Sequence, residues 1–385
     1  MTVAESPTNV KQEPEAFDSM LKEVSERREE FTELRYVPRD MIQKFKMLGL
    51  YRVSTPTQFG GNPTPPADVL EMIERIAMVD GSAGWVASFG SQNVYLAGLP
   101  LETQAELYKD GPDVAFTAGV WPVNPVEDTG RGTIIVNGRW KFASGSKGSD
   151  ILGVGIPGDD TTSGKPRTAL LRPEQVEIIE EWDPIGMRGT GSFELAVHNV
   201  EVPKEWTFIR GGKTTVDEPL YQYPIITYAA QVLAVCNLGI ARAALDFAEE
   251  VGSGRTGVTG APKLANRAYY RTGIAESEAD LLSARAFFYE VTRDGWHTLA
   301  AGERMSDRQN ALIRLASTRV AQVGDDVVRN VYRLSGTGAI NNSHPLQRLL
   351  RDAAVPPQHA FLTSSMYDAA GAVLMGMEPT VPGFR

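Results

Sequence analysis

The chain has 385 residues, with 48 acidic and 38 basic side chains and a formal charge of −10. At 42% apolar and 22% charged it is ordinary globular material, long enough for roughly two to three packed units and a core that needs no disulfides. The acidic balance argues against nucleic acid or an anionic membrane as partner, since both need a basic footprint; one cysteine, Cys236, excludes a multi-Cys metal site, and four histidines leave little room for a His-rich one.

Residues 1–16 lack the apolar core of a targeting signal and read as a polar tail. No run reaches the roughly 18 uninterrupted apolar residues of a membrane helix, so a cytoplasmic location is expected. From Phe17 to about Leu50 the chain is charged with helical spacing, ended by Gly49. After Pro63, Pro65 and Pro66, an amphipathic helix places Val69, Ile73, Ile76 and Ala77 on one face. Gly81 closes it, and DGSAGWVASFGSQNVYLAGL starts a helix that is apolar nearly all round and therefore buried. A helical domain over 17–112 follows from this.

Between Val114 and Val202 the period becomes two. Val114–Ala118, Ile151–Ile156, Thr168–Leu171, Val176–Ile179 and Phe193–Val202 read as strands. Thr133–Ser144 carries Asn137-Gly138 between two strand-like halves, which predicts a hairpin. Asp159–Gly164 and Arg188–Gly191 read as turns. Strands without intervening helices imply an antiparallel unit, placed at 113–215. Helices return over 216–385: an alanine-rich Tyr228–Val251, then Leu264–Trp296, then a helix behind a capping box at Ser306–Gln309. A last pair covers Pro345–Ala353 and Gln358–Met375. Long helices with one apolar seam make a four-helix bundle. The expected fold is mainly α with a central β-domain.

FGGNPTPPADVLEMIERIAMVDGSAGW, GRWKFASG, WDPIGMRGTGSFELAVHNVEVP, SGTGAI and RLLRDA together resemble the acyl-CoA dehydrogenase fold. The resemblance runs from about residue 20 to the C-terminus. It implies a helical N-domain, an antiparallel β-sandwich or barrel, a C-terminal four-helix bundle, one flavin per protomer and a homotetramer. True dehydrogenases often carry a glutamate base after a tyrosine in this last segment. Here His359 and Ala360 hold those two positions, and alanine takes no proton. A displaced Glu249 or Glu250 is the dehydrogenase alternative.

Phe142-Ala143-Ser144-Gly145 and His359 look instead like the flavin-dependent monooxygenases of the same fold, the oxygenase half of two-component aromatic hydroxylases. The resemblance implies FMN or FAD, delivered reduced by a separate reductase, and O2 converted to a C4a-hydroperoxyflavin that hydroxylates a small phenolic or indolic substrate. N- or S-oxygenation is the alternative within the group. It also implies Ser144 as a donor beside the flavin and His359 as a substrate-side base, whose ordinary pKa of about 6.5 suits proton exchange. Trp121 and Phe142 would stack on or wall the flavin, Arg255 would meet its phosphate, and Gly336 and Gly338 would admit backbone to phosphate or adenine. Trp85, Phe89 and Asn93 would line the substrate cavity. Phe89 and Asn93, four apart on a helix, would share a face, and a buried Asn93 amide needs a partner. His198, His297 and His344 read as surface or helix-end residues. No GxGxxG fingerprint follows a strand, so direct NAD(P)H binding is not expected.

Overall fold

Pro38 interrupts the first helical stretch. Val37, preceding a proline, is held out of the α region, and the chain forms α1 (Pro14–Leu34) and α2 (Arg39–Met47) where one run was expected. Pro38 itself, extended at φ −63° and ψ 155°, is the N-cap of α2, and Gly49 ends the segment at φ +78° as predicted. The computed structural model describes residues 14–254, 263–381, 383 and 384. Of the expected polar tail, residues 1–13 lie outside these, and 14–16 belong to α1.

Then come α3 (Pro66–Val79), α4 (Gly81–Ala87) and α5 (Leu101–Leu107). The apolar helix predicted from Gly81 onward is α-helical only to Ala87 and continues as a 3-10 helix over Ser88–Gly98. That tighter winding, with three residues per turn, removes the shared face expected of Phe89 and Asn93.

Eight strands follow: β1 (Phe116–Gly119), β2 (Val126–Asp128), β3 (Thr133–Ala143), β4 (Ile151–Ile156), β5 (Arg167–Leu171), β6 (Glu177–Ile179), β7 (Phe193–Pro203) and β8 (Thr207–Ile209). They form two four-stranded sheets, ordered β1-β4-β5-β8 and β2-β3-β7-β6. The predicted hairpin at Asn137-Gly138 is one continuous strand. Antiparallel β7 pairs along β3 from Thr133 to Ala143, and the extra residue is absorbed as a bulge between Val136 and Gly138. Pairing with β7 over both halves outcompetes the local turn. All strand pairs are antiparallel except β1 with β4. The chain crosses to the other sheet between them, so no tight hairpin joins these two. Ile134, Val136 and Leu195 from one sheet pack with Leu152, Val154 and Ala169 from the other. Trp140 is fully buried in this core, and its Nε1–H donates to Gly155 O at 2.7 Å.

After α6 (Pro219–Gln222) the long helices are α7 (Ile225–Gly254), α8 (Ala268–Ala300) and α9 (Asp307–Leu334), followed by α10 (Pro345–Ala353) and α11 (Ser365–Leu374). The predicted capping box is present at the start of α9: Gln309 N–H donates to Ser306 Oγ at 3.2 Å and Ser306 N–H to Gln309 Oε1 at 2.9 Å. By length and composition α7 could cross a membrane, but 83% of its most apolar window is buried within the fold. The helix predicted from Gln358 starts only at Ser365. Pro356 and Pro357 sit instead in a 3-10 turn, Pro356–Gln358, that ends on His359.

The chain forms two compact units. One takes the residues up to Pro65 with Val86–Asp183 and Arg188–Ile225; the other takes Pro66–Trp85, Pro184–Met187 and Ile226 onward. The sheets lie in the first, and α3 and α7–α11 in the second. The boundary falls inside α4, between Trp85 and Val86.

Candidate active site

In the first unit, the end of β3 builds the region expected to face a flavin. Phe142 adopts φ +65°, a conformation rare for a bulky side chain, and its ring is 60% exposed, as is Trp121. Lys141 N–H donates to Trp121 O at 2.7 Å, holding the Trp121 loop against the strand end. Trp182 meets Phe142 edge to face at 6.4 Å. Behind this aromatic shelf, Ser144 is buried, with its Oγ 2.6 Å from Ser192 Oγ, which lies 2.8 Å from Thr190 Oγ1. Thr117 Oγ1–H donates to Ser144 O at 2.8 Å, and Gly145 N–H to Thr190 O at 2.8 Å. Three hydroxyls thus run in a chain from β3 into the 188–192 turn.

By its sequence Arg188–Gly191 is a turn, with no site role expected of it. Thr190 and Ser192 reach Ser144 because β7 starts beside the end of β3, where Phe193 pairs with Ala143. The hydroxyl-rich GTGS run was the available signal.

Phe89, half-buried, helps line a small pocket with Tyr51, Val86, Thr117, Gly145 and Ser149. Asn93 does not line it. Fully buried, its Nδ2 donates to Tyr51 O, Thr55 Oγ1 and Val114 O at 3.0 to 3.3 Å. The Asn93 NH2 group finds the partners that burial demands in the protein's own backbone and a threonine, while Oδ1 has none among the described residues.

The second unit brings Trp85 and His359 together, with ring centroids 6.0 Å apart at 64°. Phe361 packs on His359 at 5.0 Å, and the buried Arg314 guanidinium lies 5.5 Å from the Phe361 ring. Phe361 N–H donates to His359 Nδ1 at 3.2 Å. An acceptor at Nδ1 places the proton of the neutral ring on Nε2. Ala360 beside it is exposed and carries no acid. Glu249 is 3.4 Å from Arg242 on an exposed face of α7, in a salt bridge.

Gly336 has φ +72°, and neither it nor Gly338 has a neighbour where a side chain would begin, so both leave backbone open to approach. Arg255 lies outside the described residues. His198 is exposed and 2.9 Å from Glu177, while His344 Nδ1 accepts from Leu346 N–H at 3.3 Å as the N-cap of α10. Among the described residues no group of His, Cys, Asp and Glu could hold a metal.

The family description "Acyl-CoA dehydrogenase, N-terminal domain" matches residues 13–105, and "Acyl-CoA dehydrogenase, C-terminal domain" matches 231–364. The chain is 47% identical over 372 residues to an indole-3-acetate monooxygenase of Pseudomonas putida, covering 96% of this chain and 95% of the relative. It belongs to the flavin-dependent monooxygenases of the acyl-CoA dehydrogenase fold. It is also 28% identical over 361 residues to HsaA of Mycobacterium tuberculosis, described as the oxygenase subunit of a flavin-dependent monooxygenase, covering 90% of each. The crystal structure of HsaA from that organism superposes with a TM-score of 0.88, at 27% identity, over 97% of this chain and 100% of the other.

Membership in the monooxygenase branch sets aside the dehydrogenase alternative and makes flavin and O2 the cofactor and co-substrate. The residues present fit a flavin. Trp121 and Phe142 offer exposed aromatic faces for a flat ring system. Buried Trp182 Nε1 and Ser146 Oγ, in the same unit, have no hydrogen-bond partner among the described residues; such atoms are uncommon and are available to a water or a bound group.

Proposed function

We propose that this enzyme oxygenates the ring of a small indolic substrate, with indole-3-acetate the first to test. The observation that carries the reading is the aromatic cluster of Trp85, His359 and Phe361, with ring centroids 5.0 and 6.0 Å apart around one titratable nitrogen heterocycle. The 47% identity to an indole-3-acetate monooxygenase supports the choice among aromatic substrates. Delivery of reduced FMN or FAD by a separate reductase belongs to the proposal, supported by the relative described as an oxygenase subunit. A homotetramer belongs to it too, on the sequence resemblance. A reduced flavin held there would supply two electrons to O2, one oxygen atom going to the substrate and the other leaving as water, by the C4a-hydroperoxide route that the resemblance implies.

The chain's own residues then have separate tasks. Trp121 and Phe142 give the flavin an aromatic surface. With Ser144 Oγ accepting from Ser192 Oγ–H, the arrangement this reading requires, the single Ser144 hydroxyl proton is left for the flavin. His359 exchanges a proton with the substrate at Nε2, because Nδ1 is engaged by the Phe361 amide. An indole ring is already electron-rich, so a hydrogen bond from Nε2–H to the oxygen being installed serves it as well as a base serves a phenol.

The test is a single turnover. Protein is mixed anaerobically with chemically reduced flavin, then with isotopically labelled O2 and indole-3-acetate. Label in the product supports the proposal; peroxide with unaltered indole-3-acetate overturns it. A thioether in place of the indole tests the sulfur-oxygenating alternative.

A further inference from the structure

Below the Trp85–His359 pair, three chain segments of the second unit converge on a buried ionic group that the function has not used. Asp80, between α3 and α4, accepts from Ala83 N–H at 2.8 Å and so caps the helix that carries Trp85 five residues on. Asp352, on α10, accepts from Met187 N–H at 2.6 Å and stands seven residues before His359. Both carboxylates are buried, and Arg348, one turn earlier on α10, lies 3.5 Å from Asp80 Oδ2 and 4.0 Å from Asp352 Oδ2.

The convergence is tight. A Cβ at Gly81 would sit 2.9 Å from Ile240 Cδ1, 3.3 Å from Met187 Sδ and 3.4 Å from Asp352 Oδ2. One arginine therefore links the start of α4 to α10 by charge, its buried Nη1 making no hydrogen bond among the described residues, and each of those two elements leads directly to one member of the aromatic pair. Burying two carboxylates with one guanidinium is a poor way to gain stability, because desolvation offsets most of the attraction. Such a group is better suited to fixing one arrangement of the elements that it joins.

We propose that Asp80, Arg348 and Asp352 form a positioning clamp that holds the Trp85 indole against the His359 imidazole. Its importance for catalysis rests on the reading of His359 as the substrate-side residue; its effect on the ring pair does not. Arg348 acts through the backbone of two helices and touches neither ring.

The experiment has two readouts. The first is tryptophan emission across the histidine titration, taken as the difference between each protein and its Trp85→Phe counterpart; a protonated imidazole in contact quenches indole emission. The second is the ratio of oxygenated product to peroxide with reduced flavin and indole-3-acetate. Arg348→Met is expected to lose the pH-dependent Trp85 quench and to lower the product ratio about tenfold, within the roughly hundredfold that about 1 Å of misplacement can cost. Arg348→Lys, which keeps the charge, should retain both within about twofold of the parent.

If Arg348→Met does not fold, Asp352→Asn takes its place. Its amide oxygen can still accept from Met187, while the charge that attracts Arg348 and repels Asp80 is gone, and the same two losses are expected. An unchanged quench in a folded variant overturns the clamp. A His359→Ala enzyme with an unchanged product ratio would overturn the role given to His359 instead, leaving the clamp to be judged by the quench.

Discussion

Replacing Ser144 with alanine separates a hydroxyl that serves the flavin from one that only supports the fold. The Ser144 Oγ bond to Ser192 Oγ is 2.6 Å, and Ser192 keeps Thr190 Oγ1 at 2.8 Å when Ser144 is truncated. Ser192 is thus not stripped of its partners by the change, and the loss of that neutral hydrogen bond should cost about 1 kcal/mol. Ser192→Ala removes both bonds and should cost about 2 kcal/mol. The double variant should recover about 1 kcal/mol relative to the sum, because the bond shared by the pair is counted twice in the single changes. If Ser144 also donates to flavin, losing that bond should raise peroxide release by roughly two- to tenfold. Denaturant unfolding of the four proteins gives the first set of numbers, and peroxide quantified against product in single turnovers gives the second. Unchanged peroxide release in a Ser144→Ala enzyme that has lost about 1 kcal/mol would make the serine structural and refute its flavin role.

Three further outcomes are expected. Burial is the main cause pushing the Asp352 carboxyl up from 3.8 to about 6. A raised carboxyl pKa means that ionisation costs the folded state: the penalty is absent below the unfolded value, grows as pH rises toward 6 and is complete above it. At about 1.4 kcal/mol per unit this reaches about 3 kcal/mol, so the stability of the parent relative to Asp352→Asn should fall by that order between pH 4 and 6; a difference independent of pH would contradict the burial argument. His359→Ala should bind flavin as the parent does and divert most turnovers to peroxide, measured by flavin titration and by product-to-peroxide ratio. Gly239→Ala should destabilise by about 1 to 3 kcal/mol in thermal or denaturant unfolding, since its Cβ would lie 2.3 Å from Glu74 O and 2.6 Å from Met78 N where α7 meets α3.

The sequence alone determined the order of helical, β and bundle segments, because each is written in a local period: 3.6 around Ile73 and Ile76, two along Phe193–Val202, and a capping box at Ser306. It also determined the family, through residues clustered in short motifs such as Phe142–Gly145. What it could not determine was competition between local and distant partners. Asn137-Gly138 is a good turn, but β7 offers eight paired residues along β3 and wins. The apolar stretch after Ala87 has no helical stripe to preserve, so its winding is set by what surrounds it, and Asn93 spends its amide there on backbone. The site divides the same way. Ser144 and His359 stand out as residue types in motifs, whereas Ser192, Thr190, Asp80, Arg348 and Asp352 acquire meaning only when folding places them within a few ångströms of partners up to 268 positions away. A hydroxyl or carboxylate carries no sign of its partner in its own neighbourhood, because its hydrogen-bonding need is identical in water and in a core; only burial decides who must answer it.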